Sequence, residues 1–484
     1  MTGDELVATL GVALHVVVVL VAAVVVPRNR HPSSAIAWIL AIVIVPALGI
    51  LAFLVIGSGR LPRRRREQQR EVNAAVSARV PGLDRVSHRA EWPSWLPSAV
   101  ELSRNLGSLP MVGGNEVEVI DGYEESFAAM TSAVDAARAS VHVEFYILVL
   151  DPSTEGFFDA LARAVQRGVA VRVLSDHLGS VLAPRARPTR ERLHAIGAEW
   201  HPMLPLRPWR GHWQRPDLRN HRKLVTIDGV VGFTGSQNLI DASYLKRRNQ
   251  ELGRRWREVM IRLDGPAVRE LDAVFVTDWY GETDEFLPLD VSPVELSARP
   301  STVDAQVVPS GPSFENDNNL KLFTFLLHHA EHRISITSPY FVPDESVMLA
   351  LVTAASRGVD VELFVSAQSD QFLIHHAQRS YYEPLLRAGV RIWLHRAPTI
   401  LHAKHFSVDD DVTVIGSSNL DIRSFTLNME VSVLLHGRTL VDRMRIVEDG
   451  YRAASDELTL DAWSRRPVAV RMLDNLARLT SALQ

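Results

Sequence analysis

The 484-residue sequence contains no cysteine, which excludes disulfide frameworks, cysteine-based zinc sites and thiol nucleophiles. It also lacks a strong charge of either sign, because 52 Lys and Arg residues are balanced by 56 Asp and Glu residues, for a formal net charge of −4. A strongly basic balance is typical of proteins that bind nucleic acid, so its absence disfavours that class of partner. With 46% hydrophobic residues, the chain is expected to fold into two or three units.

What the sequence does contain is a repeated polar motif, in segments 220–238 and 401–419. The shared positions all differ by the same offset (402 − 221 = 181), and they are His221 and His402, Lys223 and Lys404, Asp228 and Asp409, Gly235 and Gly416, Ser236 and Ser417, and Asn238 and Asn419. A single His-x-Lys is more often a solvated surface strand than a site. Two copies in register instead predict two half-sites on one chain.

The spacing within each copy predicts how its side chains are arranged. Residues i and i+2 of a strand point to the same side, so His221 and Lys223 are expected to share a ligand. Asp228 and Gly229, which lie between two apolar runs, predict a two-residue hairpin turn that would place His221 opposite Ser236. The same spacing in the second copy would place His402 opposite Ser417.

This combination of side chains points to a phosphodiester ligand. Histidine supplies a nucleophile or a proton carrier, lysine supplies a point charge for phosphate, and serine and asparagine supply neutral hydrogen-bond donors. Glycine lets the backbone approach the ligand closely. The motifs hold no cysteine and no carboxylate cluster, so they suit a phosphodiester better than a peptide or a sugar.

The paired motifs resemble the HxKxxxxD and GSxN motifs of the phospholipase D superfamily, and the resemblance runs from about Val117 to the C-terminus. The flanking text is most similar to bacterial cardiolipin synthases of the phospholipase D type, in the stretches NHRKLVTIDG, LDGPAVRELDAVFVTDW, SPYFVPDESV, RGVDVELFVS and SSNLDIRSFTLNMEVSVLL. The resemblance implies two homologous halves around one pseudo-twofold active site, a covalent phosphohistidine intermediate, and neither a metal nor a cofactor.

The resemblance also suggests roles for individual residues. His221 would be the nucleophile and His402 the general acid and base, and the near-symmetry of the two copies leaves this assignment open. The implied catalytic set is His221, Lys223, Asp228, His402, Lys404 and Asp409, and the implied substrate-binding set is Ser236, Asn238, Ser417 and Asn419.

Two further carboxylates are candidates for orienting the histidines. The stretch WREVMIRLDG at 256–265 aligns with NMEVSVLLHG at 428–437, which pairs Glu258 with Glu430. A carboxylate bonded to one imidazole nitrogen fixes the tautomer, so that the other nitrogen can attack or carry a proton. The alternative for Glu258 is a strand-end glutamate, because the loop before it is longer than in the second copy and the family more often has Asp there.

Short β-branched runs alternate with helical stretches after residue 117, which predicts an α/β fold of βαβ type. The predicted units are a first half at 111–285, a proline-punctuated linker at 286–312, and a second half at 313–484 that ends in a helix. The helical spacing of apolar residues in 468–483 predicts that this last helix faces the core.

Two apolar runs near the N-terminus, 6–26 and 35–56, are each long enough to cross the roughly 30 Å hydrocarbon core, and they predict a transmembrane helical hairpin at 1–60. A signal peptide is the alternative for the first run, but no Lys or Arg precedes it and a second run follows. Six arginines between positions 60 and 70 place the following chain in the cytoplasm by the positive-inside rule. Residues 61–110 are predicted to be a basic juxtamembrane linker.

The predicted function is a cell-membrane phosphatidyltransferase that converts two phosphatidylglycerol molecules into cardiolipin and glycerol. Its partners would be phosphatidylglycerol, other anionic phospholipids and the membrane, and no nucleic acid. The alternatives are a lipid hydrolase of the phospholipase D type, a membrane-anchored nuclease and a non-enzymatic scaffold, and the oligomeric state stays open. The segment Pro205–Arg219, with four Arg and two Trp, is expected either to line the mouth of the site or to be a solvated loop.

Overall fold

The structure is a computed structural model that describes residues 3–28, 32–57, 59–79, 85–107, 109–206, 215–288, 302–314 and 317–479. Most of the Arg- and Trp-rich segment 205–219 lies outside the described residues. The prediction made for this segment therefore also falls outside what the structure describes. Contacts divide the chain into two compact units, 1–60 with 215–217 and 61–214 with 218–484.

The smaller unit holds three apolar helices, α1 (Gly3–Val25), α2 (Pro32–Ile44) and α3 (Pro46–Ile56). Within α1, residues Asp4–Val25 have a mean hydropathy of 2.7 and are long and apolar enough to cross a membrane. No other helix in the described ranges meets both criteria. Helix α1 is therefore the candidate membrane span.

The second predicted span, 35–56, is not one continuous helix. Pro46 has no N–H group to continue the helical ladder, and the run breaks there. Helices α2 and α3 then fold back on each other, since the ring centroids of Trp38 and Phe53 are 5.5 Å apart and a Cβ on Gly49 would lie 2.6 Å from the backbone of α2. With 13 and 11 residues, each helix is about 20 Å long or less, which is shorter than the hydrocarbon core.

The larger unit is an α/β structure. Its strands are β1 (Val112–Ile120), β2 (Ser140–Phe145), β3 (Ala170–Asp176), β4 (Glu199–Met203), β5 (Arg219–Asn220), β6 (Lys223–Ile227), β7 (Val231–Gly235), β8 (Trp256–Arg257), β9 (Met260–Asp264), β10 (Val303–Ser310), β11 (Arg333–Thr337), β12 (Phe341–Val342), β13 (Asp360–Ser366), β14 (Arg391–His395), β15 (Ile400–Leu401), β16 (His405–Val408), β17 (Val412–Gly416), β18 (Leu420–Asp421), β19 (Asn428–His436) and β20 (Ser455–Leu458).

Its helices are α4 (Arg63–Arg79), α5 (Leu96–Asn105), α6 (Tyr123–Ala136), α7 (Glu155–Gln166), α8 (His177–Val181), α9 (Ala186–Ile196), α10 (Arg247–Glu251), α11 (Ala267–Thr283), α12 (Asn318–His329), α13 (Glu345–Ser356), α14 (Phe372–Arg379), α15 (Tyr382–Ala388), α16 (Ile422–Thr426), α17 (Arg438–Ala453), α18 (Leu460–Ser464) and α19 (Val468–Arg478), with a 3-10 turn at Arg89–Glu91.

Sixteen of the described strands form one mixed sheet, in the order β20-β14-β13-β11-β16-β17-β19-β10-β1-β9-β7-β6-β2-β3-β4, with β5 attached to β19. The antiparallel pair β1 and β10 lies between two arms. Outward from β1 the order is β9-β7-β6-β2-β3-β4, and outward from β10 it is β19-β17-β16-β11-β13-β14. Strands at the same place in the two arms carry the same part of the sequence repeat.

Helices cover both faces of this sheet, as the alternation along β13 illustrates. Phe364 packs into a core cluster that includes residues of α11 and α17. Its neighbours Leu363 and Val365 point the other way, into a cluster with α12 and α13. A third cluster joins β2 and β3 to α6 and α7. The α/β class expected from the sequence is thus the observed one.

The structure differs from the predicted boundaries in two places. The segment assigned as a linker, 286–312, contains β10, whose eight residues are all buried and pair with β1 and β19. The segment assigned as a juxtamembrane linker, 61–110, contains α4 and α5. On α4, Val72 is buried in the core, and Arg65 donates hydrogen bonds of 2.8 and 2.7 Å to Glu282 of α11. Both stretches belong to the larger unit.

The two motif hairpins also differ from the predicted turn. β6 pairs with β7 across a three-residue loop, 228–230, and β16 pairs with β17 across a loop of the same length. In the first loop Asp228 and Gly229 have left-handed φ values of 53° and 65°. One extra loop residue shifts the pairing by one position. The predicted placement of His221 opposite Ser236, and its equivalent in the second copy, is therefore wrong.

Candidate active site

Each motif histidine follows a two-residue strand that pairs with the other half of the chain. β5 runs parallel to β19 with Asn220 beside Met429, and the N–H of His221 donates to the Met429 carbonyl over 2.8 Å. The next residue along β19 is Glu430, and both of its carboxylate oxygens lie 3.0 Å from Nδ1 of His221. The backbone register thus joins a histidine to a carboxylate 209 residues away.

The second histidine is placed in the same way. β15 runs parallel to β8, and the N–H of His402 donates to the Arg257 carbonyl over 2.8 Å. Oε1 of Glu258 lies 2.6 Å from Nδ1 of His402. Both candidate orienting glutamates therefore contact a histidine, and each contacts the histidine of the opposite copy. The long loop before Glu258 does not prevent this contact.

Burial keeps both imidazoles neutral. Desolvation lowers the pKa of His221 to about 4, although the charge of Glu430 opposes this shift. Desolvation also lowers the pKa of His402, against the opposing charge of Glu258. A neutral imidazole that donates its Nδ1–H to a carboxylate keeps a free lone pair on Nε2. Nε2 is therefore the candidate reactive nitrogen of each ring, and on His402 it also lies 3.4 Å from Nζ of Lys404.

The carboxylate of Glu430 is fixed by a residue of the second GSxN motif. Ser417 Oγ donates to Glu430 Oε2 over 2.5 Å and accepts from the Val431 N–H over 3.0 Å. Burial acts to raise the pKa of Glu430, but His221 and Lys223 hold that pKa below its usual value. The carboxylate is ionised and rigid, as a group that orients an imidazole must be.

Both motif lysines are buried beside the histidines. Lys223 Nζ donates to the His221 carbonyl over 2.5 Å, and Lys404 Nζ donates to the His402 carbonyl over 2.8 Å. Burial lowers the pKa of Lys223 well below its usual value and that of Lys404 to about 8. The charge of Lys404 also lowers the pKa of Lys223, so the two half-sites share one electrostatic field. Two buried lysines suit an anionic ligand, because the charge of such a ligand favours their ammonium forms.

The sequence reasoning missed three tyrosines that pack on the histidines. The ring of Tyr146 meets His221 edge-on with centroids 5.3 Å apart. The rings of Tyr340 and Tyr244 meet His402 edge-on at 5.9 and 6.4 Å. Tyr146 and Tyr340 follow β2 and β11, which hold the same place in the two arms. A tyrosine after both matched strands was the available signal in the sequence.

Most of the remaining polar residues of the motifs form hydrogen bonds with neighbouring backbone or side-chain groups. Ser236 Oγ exchanges hydrogen bonds of 3.1 and 2.9 Å with the backbone of Val259. Asn238 Nδ2 donates to the Tyr244 hydroxyl over 2.9 Å. Asn419 Nδ2 donates to a neighbouring carboxylate, and its buried Oδ1 has no hydrogen-bond partner among the described residues. Substrate binding by these four residues stays a prediction.

The two motif aspartates lie at the far ends of the hairpins. Asp228 accepts hydrogen bonds of 2.7 to 2.8 Å from the three N–H groups of 138–140, and Asp409 accepts three of 2.7 to 2.9 Å from 331–333. The five residues of β6, about 17 Å, separate Asp228 from the histidine. Both aspartates thus hold the starts of β2 and β11, and their catalytic role stays a prediction.

A metal site was not expected from the sequence. In the parts of the chain that the structure describes, no group of three or more His, Asp or Glu side chains is arranged to hold a metal ion. The independence of the reaction from metals and cofactors stays a prediction.

Family models match both units of the chain. A model described as cardiolipin synthase, phospholipase D-like domain, matches residues 130–279 and 324–447, which together are more than half of the chain. A model described as phospholipase D-nuclease N-terminal matches residues 17–58.

Curated relatives match along nearly the whole chain. Cardiolipin synthase A of Proteus mirabilis is 32% identical over 464 residues, which are 94% of each chain. Cardiolipin synthase of Geobacillus thermodenitrificans is 33% identical over 488 residues, covering 99% of this chain and 95% of that protein. Among solved structures, phosphatidylserine synthase of Haemophilus influenzae has a TM-score of 0.60 at 16% identity, covering 79% of this chain and 99% of that one, a likeness of fold.

Proposed function

The chain belongs to the cardiolipin synthase family of phospholipase D-like proteins and is a phosphatidyltransferase; we propose that it is bound to a membrane and converts two phosphatidylglycerol molecules into cardiolipin and glycerol. The observation that carries this proposal is the crossed pairing of His221 with Glu430 and of His402 with Glu258. It provides two neutral imidazoles, each beside a buried lysine, and leaves Nε2 of each ring without a carboxylate partner among the described residues. One can form a covalent bond to phosphorus while the other moves a proton.

In the first step, Nε2 of His221 attacks the phosphorus of one phosphatidylglycerol. A P–N bond forms, and the bond from phosphorus to the head-group glycerol oxygen breaks. An alkoxide is a poor leaving group, so His402 protonates the departing oxygen. His402 is neutral in the free enzyme, and the negative charge of the bound phosphodiester raises its pKa so that it carries this proton.

In the second step, the now neutral His402 takes a proton from a head-group hydroxyl of the second phosphatidylglycerol. The hydroxyl oxygen attacks the phosphorus, the P–N bond breaks, and cardiolipin leaves. The proton is back on His402 and His221 is free for the next cycle. Throughout, Lys223 and Lys404 stabilise the charge on the pentacoordinate phosphorus.

We place a single active site where the two arms of the sheet meet, and we relate the halves by a pseudo-twofold axis. The matching strand orders of the two arms support this arrangement. So does the exchange of glutamates, because neither half supplies a carboxylate to its own histidine.

We further propose that α1 anchors the enzyme and that the larger unit lies in the cytoplasm. The six arginines at 60–70 support this orientation. Those of them that are exposed, such as Arg63 and Arg70, also favour contact with anionic lipid, at about 1 kcal/mol per basic residue close to the surface.

The products of the purified full chain in phosphatidylglycerol vesicles test the proposed reaction. We expect glycerol and cardiolipin in equal amounts, and His221→Ala and His402→Ala should each abolish turnover. Phosphatidic acid in place of cardiolipin would show that water is the acceptor, and near-normal turnover by either variant would exclude the shared site. Activity should persist in a chelator, because the mechanism assigns no step to a metal.

A donor with a good leaving group separates the roles of the histidines. A phosphatidyl ester of p-nitrophenol needs no general acid in the first step, so His402→Ala should release p-nitrophenol once and retain a phosphatidyl group. Mass spectrometry should find that group on the peptide containing His221. His221→Ala should retain none, and a label on His402 would reverse the assignment.

A further inference from the structure

Helices α14 and α19, which contact each other, expose a set of apolar side chains, here called the α14–α19 face. The set consists of Phe372, Leu373, Val468, Met472, Leu476 and Leu479. The last four recur at helical spacing and so lie on one side of α19. Met472 and Leu476 are 60% and 59% exposed, well above what a helix packed on a core would show.

Helix α19 is turned the opposite way from the prediction that its apolar residues face the core. The side that packs inward holds Ala477, which joins a core cluster, and Asp474, which is 1% exposed and accepts from Nδ1 of His376 over 2.7 Å and from Arg466 over 2.5 Å. These ion pairs join α19 to α14 and hold the apolar side outward. The exposure is therefore fixed by the fold.

The α14–α19 face begins close to the active site. The ring of Tyr340 packs on His402, and its hydroxyl donates to Asp370 over 2.8 Å and accepts from Gln371 over 3.1 Å. Gln371 directly precedes the exposed Phe372 that starts α14. Two side-chain contacts thus lead from a reactive histidine to the apolar surface.

The charges on α19 identify the kind of partner. Arg471 and Arg478 are exposed beside the apolar side chains, and Arg478 lies 4.6 Å from the Tyr381 ring. The single carboxylate of α19, Asp474, is buried in ion pairs. An amphipathic helix with apolar side chains on one face and arginines at its border is suited to the interface of an anionic bilayer.

We propose that the α14–α19 face inserts into the surface of an anionic lipid bilayer and turns the mouth of the active site toward the lipid substrate. The inference rests on the proposed function, because only a lipid substrate makes this orientation useful. It concerns a contact made by the catalytic unit itself, separate from the N-terminal anchor.

Lipid-borne quenching tests the contact directly in the full chain. Because the chain lacks cysteine, Leu476→Cys and the control Ile446→Cys each carry one fluorophore; Ile446 is 59% exposed on α17, outside the face. In proteoliposomes containing phosphatidylglycerol and nitroxide-labelled lipid, we expect strong quenching at position 476 and little at 446. Equal quenching at the two positions overturns the proposal. Shielding at 476 without lipid quenching, together with cross-linked dimers, overturns it in favour of a second copy.

Turnover separates this inference from the proposed function. The double variant Met472→Asp with Leu476→Asp should lose at least about tenfold in cardiolipin synthesis on phosphatidylglycerol vesicles, because two apolar side chains no longer insert. Its rate in mixed detergent micelles should stay within about twofold of the native rate, and Ile446→Asp should be near native in both. Equal loss in both assays overturns the inference. If the native chain makes no cardiolipin on vesicles or in micelles, the proposed function fails while the quenching result still stands.

Discussion

The reactive residues depend on contacts made across the two halves of the chain. His221 has its Nδ1 fixed by Glu430, and His402 has its Nδ1 fixed by Glu258. Each glutamate follows the residue whose carbonyl accepts from the N–H of the histidine. The orientation of each proposed catalytic histidine therefore requires correct docking of both halves.

Removing either carboxylate charge should lower the chemical rate. We expect Glu430→Gln and Glu258→Gln each to reduce kcat by about 10²–10⁴-fold with little change in KM, because the tautomer and the imidazolium lose their support while phosphate binding by the lysines remains. Steady-state kinetics on mixed micelles measures both constants. Glu270→Gln is the control, since Glu270 is also buried and, among the described residues, accepts only from the Val307 N–H. A rise in KM alone would contradict the orienting role.

The motif aspartates should matter for stability instead of chemistry. Asp228→Ala removes a charged acceptor from three N–H groups and should lower the free energy of unfolding by about 1.5–3 kcal/mol, with kcat close to native. Thermal unfolding and kcat, measured on the same preparation, check this. The free energy of unfolding of Asp228→Asn should lie between those of the native protein and Asp228→Ala, because asparagine tolerates the left-handed φ of 53° and keeps one acceptor oxygen. Loss of kcat in a fully folded Asp228→Ala would place this residue in the catalytic set.

The pH dependence of kcat/KM should report the protonation state of the buried Lys404. Burial lowers the pKa of Lys404 to about 8, so its ammonium is present below that pH and is lost above it. We therefore expect kcat/KM for phosphatidylglycerol to fall as the pH rises through about 8, since the anionic phosphate loses a counter-charge. Lys404→Arg should be slower but should lack this fall, because arginine stays protonated. A fall that is unchanged in Lys404→Arg would assign it to another group.

At this scale the sequence identified the histidines and lysines, because the constant offset of 181 residues between copies (402 − 221 = 181) exposed them. It also paired the two glutamates by alignment. It did not show that each glutamate contacts the histidine of the other copy. That exchange depends on the pairing of β5 with β19 and of β15 with β8, and no local sequence pattern predicts such long-range pairing. The sequence also did not show the structural contacts of the aspartates, because shared position within a motif does not distinguish a reactive group from a structural one.

At the scale of elements, periodicity predicted the type of each element better than its orientation. The apolar spacing of α19 marks one face but does not say whether that face points inward. The burial of Asp474 on the other side shows that the apolar face points outward. Likewise, 22 apolar residues at 35–56 fit one long helix or two short ones. Pro46 was the sequence signal for a break, and the packing of Trp38 on Phe53 shows that the chain turns back.

The fold-back of α2 and α3 leads to a prediction about topology. If only α1 crosses the membrane, the acidic start of the chain lies outside, whereas Arg28, Arg30 and the six arginines at 60–70 all lie in the cytoplasm. Two crossings would instead leave Arg28 and Arg30 outside, which the positive-inside rule disfavours. We therefore expect a single crossing with α2 and α3 entering and leaving on the cytoplasmic side.

Cysteine labelling tests this topology without background, because the native chain has no cysteine. In intact cells, an impermeant maleimide should label Thr2→Cys and should label Glu67→Cys only after lysis. Protection of both positions until lysis would show two crossings. Labelling of Glu67→Cys in intact cells would place the catalytic unit outside and contradict the proposed orientation.

At the scale of the whole molecule, we expect the larger unit to fold and work without the N-terminal helices. Its sheet runs through both halves, and β1 and β10 join the two arms. Residues after 60 belong to it, since the Leu61 N–H donates to the Pro312 carbonyl over 3.1 Å and α4 packs on α11. A shortened chain that starts near Glu71, within α4, would lose the ion pair of Arg65 with Glu282. The boundary for removing the anchor is therefore residue 60.

Removal of residues 1–60 should separate a lipid enzyme from a nuclease. For a bilayer substrate, the anchor acts by holding the site at the membrane and raising the effective substrate concentration, so its loss should reduce turnover on dilute phosphatidylglycerol vesicles by about 10²-fold. Turnover in mixed micelles should be near that of the full chain, because the crossed His–Glu pairs lie wholly within residues 61–484. The α14–α19 face should support the remaining vesicle activity, so combining the deletion with Met472→Asp and Leu476→Asp should lower it further. A nuclease gains nothing from the anchor on a soluble substrate, so equal vesicle rates for both chains, or strong DNA cleavage without lipid turnover, would contradict the lipid assignment.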